Sequence, residues 1–176
     1  MTELIKALLM NERIVTENTN EARQLYEQSV YGHVLADGRV ELSPFEAVYL
    51  AEKERVQVLD GKNKLVTTEA LLKKTCKKIP EFATKYAVFK DLRSRGYVVK
   101  TALKFGADFR VYDRGIKPGE DHARWVVFPV REYDCMTWHE FAAKNRVAHS
   151  TKKKLLIAVA DDEGDVSYWE CGWLRP

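Results

Sequence analysis

Six consecutive apolar residues, Leu155-Leu156-Ile157-Ala158-Val159-Ala160, constrain this chain more than any other stretch. An unbroken apolar run of this kind is expected of a strand buried on both faces. Such a strand needs neighbours beside it and layers above and below it. The second half of the sequence supplies them. Phe82, Tyr86, Phe89 and Leu92 recur at spacings of four, three and three, which predicts one apolar face of a long helix ended by Gly96. Strands are predicted at Tyr97 to Leu103, Asp108 to Tyr112 and Trp125 to Val130. Thr137-Trp138-His139-Glu140 is a capping box opening a helix to about Val147. Asp161 to Asp165 forms an acidic hairpin tip, and Val166 to Trp173 makes a last, aromatic strand. The result is a mixed sheet with helices packed on it.

The first half alternates short strands and short helices. Leu4 to Val15 reads as a hairpin around Asn11-Glu12, followed by a helix from Glu21 to Ser29 started by Asn20. Ala36-Asp37-Gly38-Arg39 holds an Asp-Gly hairpin turn within Gly32 to Leu42. Ser43-Pro44-Phe45-Glu46 combines a cap, a proline at the first helical position and a closing glutamate, so a helix should run to about Lys53. A strand at Arg55 to Leu59, a turn at Asp60 to Asn63 and a helix from Thr67 or Thr68 to Lys78 complete this half. Proline disfavours helix in the residue before it, which makes Ile79-Pro80 the boundary. The fold class is therefore α/β (α+β), with an N-terminal mixed α/β domain over 1–80 and a second domain over 81–176.

Bulk properties bound the function. Apolar content of 45% and charged content of 31% suit a globular chain of 176 residues. The net charge of +3 permits nucleic-acid binding without arguing for it, so any electrostatic case rests on clustering. No run approaches the ~20 apolar residues of a membrane span. The beginning, Met1 to Lys6, lacks the pattern of a secretory signal. Cys76, Cys135 and Cys171 are odd in number and widely spaced, which suggests a reduced, cytoplasmic protein without a disulfide framework or a zinc site.

Chemistry concentrates in the second half. Alternation along Asp108 to Tyr112 puts Phe109 and Val111 on one face and Asp108, Arg110 and Tyr112 on the other, polar face. His122 ends a loop containing Gly115, Pro118 and Gly119, and Lys152, Lys153 and Lys154 precede the buried strand. Each has a bland reading: a packed tyrosine with a wet hydroxyl, a surface histidine, a solvated charge run. Together they have another. RNA carries its own nucleophile in the 2′-hydroxyl. Its cleavage needs a base, an acid for the departing 5′-oxygen and a cation for the crowded phosphate. Histidine suits the acid. Tyrosine serves as base only where a neighbouring cation favours phenolate. Arg146 is read either as a partner for a base or phosphate or as a helix-end cation facing the dipole. His149 is a reserve candidate.

The run Tyr86 to Thr101, the stretch Lys104 to Gly115, the His122 loop, Arg146-Val147-Ala148-His149-Ser150 with its lysines and the tail Asp165 to Pro176 resemble the archaeal tRNA-splicing endonucleases. The resemblance covers Lys85 to the C-terminus almost continuously and is weaker before it. It implies a small N-terminal mixed domain followed by a C-terminal catalytic nuclease domain. It also implies a tRNA-intron lyase that cuts precursor tRNA at a bulge-helix-bulge, leaving a 5′-hydroxyl and a 2′,3′-cyclic phosphate, with no metal and no cofactor. Under it Tyr112 is general base, His122 general acid and Lys153 the stabiliser of the transition state. Arg146, Lys152 and Lys154 would contact RNA. Asp161, Asp162, Glu163 and Asp165 would dock into a second pair of subunits, and final strands would join across a two-fold axis, giving a homotetramer. Thr151-Lys152 departs from the Val-Arg usual there.

Two alternatives are weighed against this. A metal-dependent DNA nuclease needs clustered carboxylates ahead of a strand lysine, and Asp108 and Glu132 are unconvincingly spaced for that. A non-catalytic subunit or tRNA-binding module predicts that Tyr112, His122 and Lys153 are dispensable.

Overall fold

The computed structural model describes residues 4–11, 13–174 and 176, apart from the Phe105 side chain. The chain divides into two compact units, Met1–Phe82 and Ala83–Pro176.

In the first unit, β1 (Ile5–Met10) and β2 (Arg13–Thr16) pair antiparallel, with Met10 opposite Arg13. Glu12 of the expected turn lies outside the described residues. Helix α1 (Asn20–Ser29) is capped by Thr19, whose hydroxyl accepts from the Ala22 N–H at 3.2 Å. Asn20 is therefore the first helical residue and not the cap. Strands β3 (His33–Val34) and β4 (Val40–Leu42) form the Asp-Gly hairpin. Helix α2 (Pro44–Glu52) opens on the complete Ser43–Glu46 capping box. The Glu46 side chain is buried there and also accepts from the Gly32 N–H at 2.9 Å. Strand β5 (Val56–Leu59) adds parallel to β1, giving the order β3-β4-β2-β1-β5. Helix α3 (Thr68–Lys78) is capped by Thr67. Phe82 stacks on Phe45 with ring centroids 4.7 Å apart.

The second unit is built on α4 (Phe82–Ser94), whose end is closed by two hydrogen bonds, Gly96 N–H to Arg93 O and Tyr97 N–H to Leu92 O. Gly96 adopts φ 89, the left-handed conformation that such a closure requires. Strand β6 (Val98–Thr101) is shorter than predicted, because the chain turns at Ala102 into a 3-10 turn over Leu103–Phe105. It pairs with β7 (Phe109–Tyr112), and β7 with β8 (Trp125–Arg131), both antiparallel. Helix α5 (Trp138–Ser150) carries the Thr137–Glu140 capping box and runs one turn beyond the predicted end. It crosses over to β9 (Lys154–Ala160), parallel to β8. Strand β10 (Val166–Cys171) returns antiparallel, ending two residues before the predicted Trp173.

The order β10-β9-β8-β7-β6 makes a mixed sheet with β9 inside it. One face of the apolar run packs in a cluster of Val126, Phe128 and Leu155 with Ala148 of α5, flanked by Phe141 and Ile157. On the other face Phe109 of β7 meets Phe89 of α4, ring centroids 6.0 Å apart. Burial of this apolar area is the main stabilising term, at roughly 25 cal/mol per Å². Among the described residues no helix is long and apolar enough to cross a membrane.

Candidate active site

One hydrogen-bonded row fixes where the candidate residues come together. Val111 of β7 faces Trp125 of β8, and Trp125 faces Lys154 of β9. Just beyond it, the Arg124 N–H donates to the Val111 carbonyl at 2.8 Å and the Lys154 N–H donates to the Arg124 carbonyl at 2.9 Å. Because β7 leaves the sheet where β8 and β9 enter it, Tyr112, Arg124 and Lys153 all follow or precede this row at one sheet end. His122 lies two residues before Arg124, on the segment entering β8.

Tyr112 is only 4% exposed. The alternation reading, which puts it on a polar face, is corrected in this respect. Tyr112 is buried there beside the half-buried Arg110. The Arg110 guanidinium carbon lies 5.9 Å from the Tyr112 ring centroid.

His122 is exposed. Its loop is held by backbone contacts: Lys117 N–H to Glu120 Oε2 at 3.0 Å, Glu120 N–H to Lys117 O at 3.1 Å, and a bridge between Pro118 and Asp121. The Asp121 carboxylate accepts from the His122 N–H at 2.6 Å, and Ala123 is buried directly after it. The backbone is thus anchored on both sides of an imidazole open to an incoming ligand.

Lys153 is positioned by the end of α5. Lys152 N–H bonds His149 O at 3.0 Å and Lys153 N–H bonds Ala148 O at 2.9 Å, the same paired closure that Gly96 completes in α4. Lys152 fills the left-handed position, φ 54, that glycine occupies there. The Lys153 ammonium donates to the Thr151 carbonyl at 2.8 Å. Burial pushes it below the ordinary lysine value, and the Arg110 guanidinium adds to the shift. That second cause ties Lys153 to the Tyr112 side of the sheet.

The remaining candidates differ in circumstance. Arg146 and Lys152 are exposed. The Lys154 ammonium is engaged 2.6 Å from Glu170 Oε1, while the Trp125 indole N–H donates to Glu170 Oε2 at 2.8 Å. Both contacts, the lysine first, hold the Glu170 carboxyl below the usual range. At the acidic tip the Asp161 carboxylate is turned inward, accepting from the Glu163 and Asp165 N–H groups at 3.0 and 2.9 Å. Asp162, Glu163 and Asp165 are exposed. The tip lies at the far end of β9 from Lys153, roughly 20 Å along the strand. The two features cannot meet within one chain.

Asp108 is paired with Lys85 at 2.8 Å. Among the described residues no three His, Cys, Asp or Glu form a group that could hold a metal ion. Sequence reasoning gave no role to Arg110, Arg124 or Glu170. Alternation already put Arg110 on the face of Tyr112, but its cross-strand neighbours follow only from register.

The fold and this sheet end define an α+β protein of two units with a cation-rich site around a buried tyrosine. The family model for the tRNA intron endonuclease catalytic C-terminal domain matches residues 82–168, and that for the N-terminal domain of the same family matches residues 5–72. The chain is 39% identical over 175 residues to a tRNA-splicing endonuclease of Thermococcus onnurineus, and 40% identical over 176 residues to one of Pyrococcus furiosus, with 99% of each chain covered. A tRNA-splicing endonuclease of Nanoarchaeum equitans is 42% identical over 149 residues, covering 81% of this chain and 94% of the relative. The chain belongs to the tRNA intron endonuclease family.

Proposed function

We propose that this protein is an endonuclease that removes introns from precursor tRNA. It cuts at bulge-helix-bulge sites by attack of the ribose 2′-oxygen on the adjacent phosphorus. A 2′,3′-cyclic phosphate forms as the bond to the 5′-oxygen breaks. Tyr112 accepts the 2′-hydroxyl proton, His122 delivers a proton to the departing 5′-oxygen, and the Lys153 ammonium stabilises the charge that builds on phosphorus-bound oxygen. The observation that carries this reading is the convergence of Tyr112, the His122 segment and Lys153 at one end of the sheet in a member of this family. The step needs no metal and no cofactor.

RNA contacts follow from exposure: Arg146 and Lys152 are open cations near Lys153. Lys154, expected beside them, acts first on Glu170. Recognition is of shape and unpaired bases, since the deep groove of A-form RNA admits side chains poorly.

Self-association into a homotetramer accounts for two further features. Strand β10 is an edge of its sheet and exposes Trp169. An unpaired edge is a template for a second strand. The acidic tip, remote from its own cationic end, complements that of another copy. Three free cysteines suit a reducing, cytoplasmic setting.

The test is incubation of the purified chain with an intron-bearing precursor tRNA in excess EDTA, followed by analysis of the new ends. A cyclic phosphate and a 5′-hydroxyl are expected. Intact RNA, or cleavage only on adding a divalent ion, sinks the reading. Substituting Asp162, Glu163 and Asp165 by their amides should give dimers by light scattering; persisting tetramers refute the docking.

A further inference from the structure

Strand β7 holds a cation to which the mechanism above gives no work. Arg110 stands two residues before Tyr112, so both side chains occupy the same sheet face. Register puts Lys100 of β6 directly opposite Arg110 on one side and Val126 of β8 on the other. Val126 belongs to the buried cluster beneath α5, so Arg110 sits between apolar core and Tyr112. Its Nε is buried and has no hydrogen-bond partner, and no carboxylate among the described residues pairs with it.

This arrangement is unfavourable as it stands. A buried N–H without an acceptor forgoes its hydration and gains nothing in return. Arg110 also faces a third cation, since its charge helps to lower the proton affinity of Lys153. A guanidinium left without a partner beside Tyr112 makes sense when an anion arrives to satisfy it.

We propose that Arg110 is a substrate-binding residue: its guanidinium grips a non-bridging oxygen of the phosphodiester that is cut. The proposal rests on the endonuclease reading and deepens it. A guanidinium carries terminal N–H groups beyond its Nε, held in one plane, that can converge on a phosphate oxygen. Lysine supplies a point charge without that fork. In this position Arg110 orients the phosphorus between Tyr112 and Lys153. Its guanidinium carbon, 5.9 Å from the Tyr112 ring centroid, keeps that phosphate within reach of the tyrosine.

The experiment is single-turnover cleavage of precursor tRNA carrying one phosphorothioate at the cut linkage, made separately as each diastereomer. Sulfur on the gripped oxygen weakens the contact and sulfur on the other does not, so the wild-type chain is expected to discriminate between them. Arg110→Gln is expected to slow cleavage of the ordinary phosphate by roughly 10²–10³-fold and to level the two diastereomers. Arg110→Lys should recover part of the rate and none of the discrimination. Equal rates for the two diastereomers in the wild type overturn the proposal. So does a wild-type rate in Arg110→Gln, or a slowed rate at an unchanged diastereomer ratio in both variants, which is what a packing defect alone produces. A wild-type chain that cleaves no precursor tRNA removes the endonuclease reading and this one together. Cleavage with an unaltered ratio in the variants removes Arg110 alone.

Discussion

Lys154 and Glu170 join β9 to β10 by an ion pair of 2.6 Å, and the same carboxylate reaches β8 through the Trp125 indole. Three strands are clasped at the sheet end where Lys153 enters. The two neighbouring lysines thus have different work, one on protein and one on substrate. Lys154→Ala is expected to lower stability by about 0.2–1 kcal/mol, the range of a solvent-accessible pair, and to leave cleavage close to wild type. Lys153→Ala should do the reverse. Urea unfolding and single-turnover rates on the two variants separate the roles. A severe loss of cleavage in Lys154→Ala contradicts the division.

His122→Ala should slow cleavage by roughly 10²–10⁴-fold, the range for removal of a general acid. Affinity for precursor tRNA should hardly change, because the loop backbone is held by Glu120 and Asp121 and not by the imidazole. Rate and affinity are measured separately, the latter with a substrate blocked by a 2′-deoxy sugar at the junction. Loss of affinity equal to the loss of rate makes His122 a binding residue.

Much of the fold is local in origin and was legible for that reason. The Ser43–Glu46 and Thr137–Glu140 boxes are four-residue chemistries, and both helices begin where those residues put them. The apolar run Leu155 to Ala160 needed no partner to declare itself. The misses share a cause. The end of α5 went undetected because Lys152, and no glycine, takes the left-handed position, so no residue type signals it. Thr19 and Asn20 are both capping residues, and local preference does not choose between them. Burial of Tyr112 depends on what packs over its end of the sheet, which the alternation within β7 does not reveal. The Lys100–Arg110 pairing is a matter of register and has no signature in either strand alone.

Lys152→Gly should stabilise the protein. An L-residue in the left-handed region costs about 1–2 kcal/mol. Glycine relieves that and returns roughly 0.5–1 kcal/mol through the entropy of the unfolded chain. The net gain expected is about 0.5–1 kcal/mol, read as a higher melting temperature. The variant also removes an exposed cation, so the salt dependence of RNA binding should flatten by less than one phosphate's worth, ~0.7–0.9 in the logarithmic slope. Lower stability in this variant shows that Lys152 makes contacts beyond the backbone closure.

The acidity of Lys153 sets a limit on the alkaline side. Burial, with Arg110 second, holds its folded-state proton affinity below the ordinary lysine value of 10.5. As pH rises through the folded value the ammonium is lost, and with it the charge that stabilises the transition state. Cleavage should therefore fall at a pH below that at which an exposed lysine titrates. Stability should respond in the opposite sense. The unfolded chain keeps this proton to higher pH, so between the two values it binds more protons than the folded chain and this group's contribution to stability increases with pH. A falling rate without a falling melting temperature is the signature. Lys153→Arg keeps its charge throughout the accessible range and should lose this limb of the profile, at whatever rate its different geometry allows. Arg110→Gln removes the second cause and should move the limb upward without restoring the ordinary value, because burial remains. Rate profiles on folded protein, with melting temperatures at each pH, decide the matter. An alkaline limb that survives unchanged in Lys153→Arg belongs to another group and takes Lys153 out of that role.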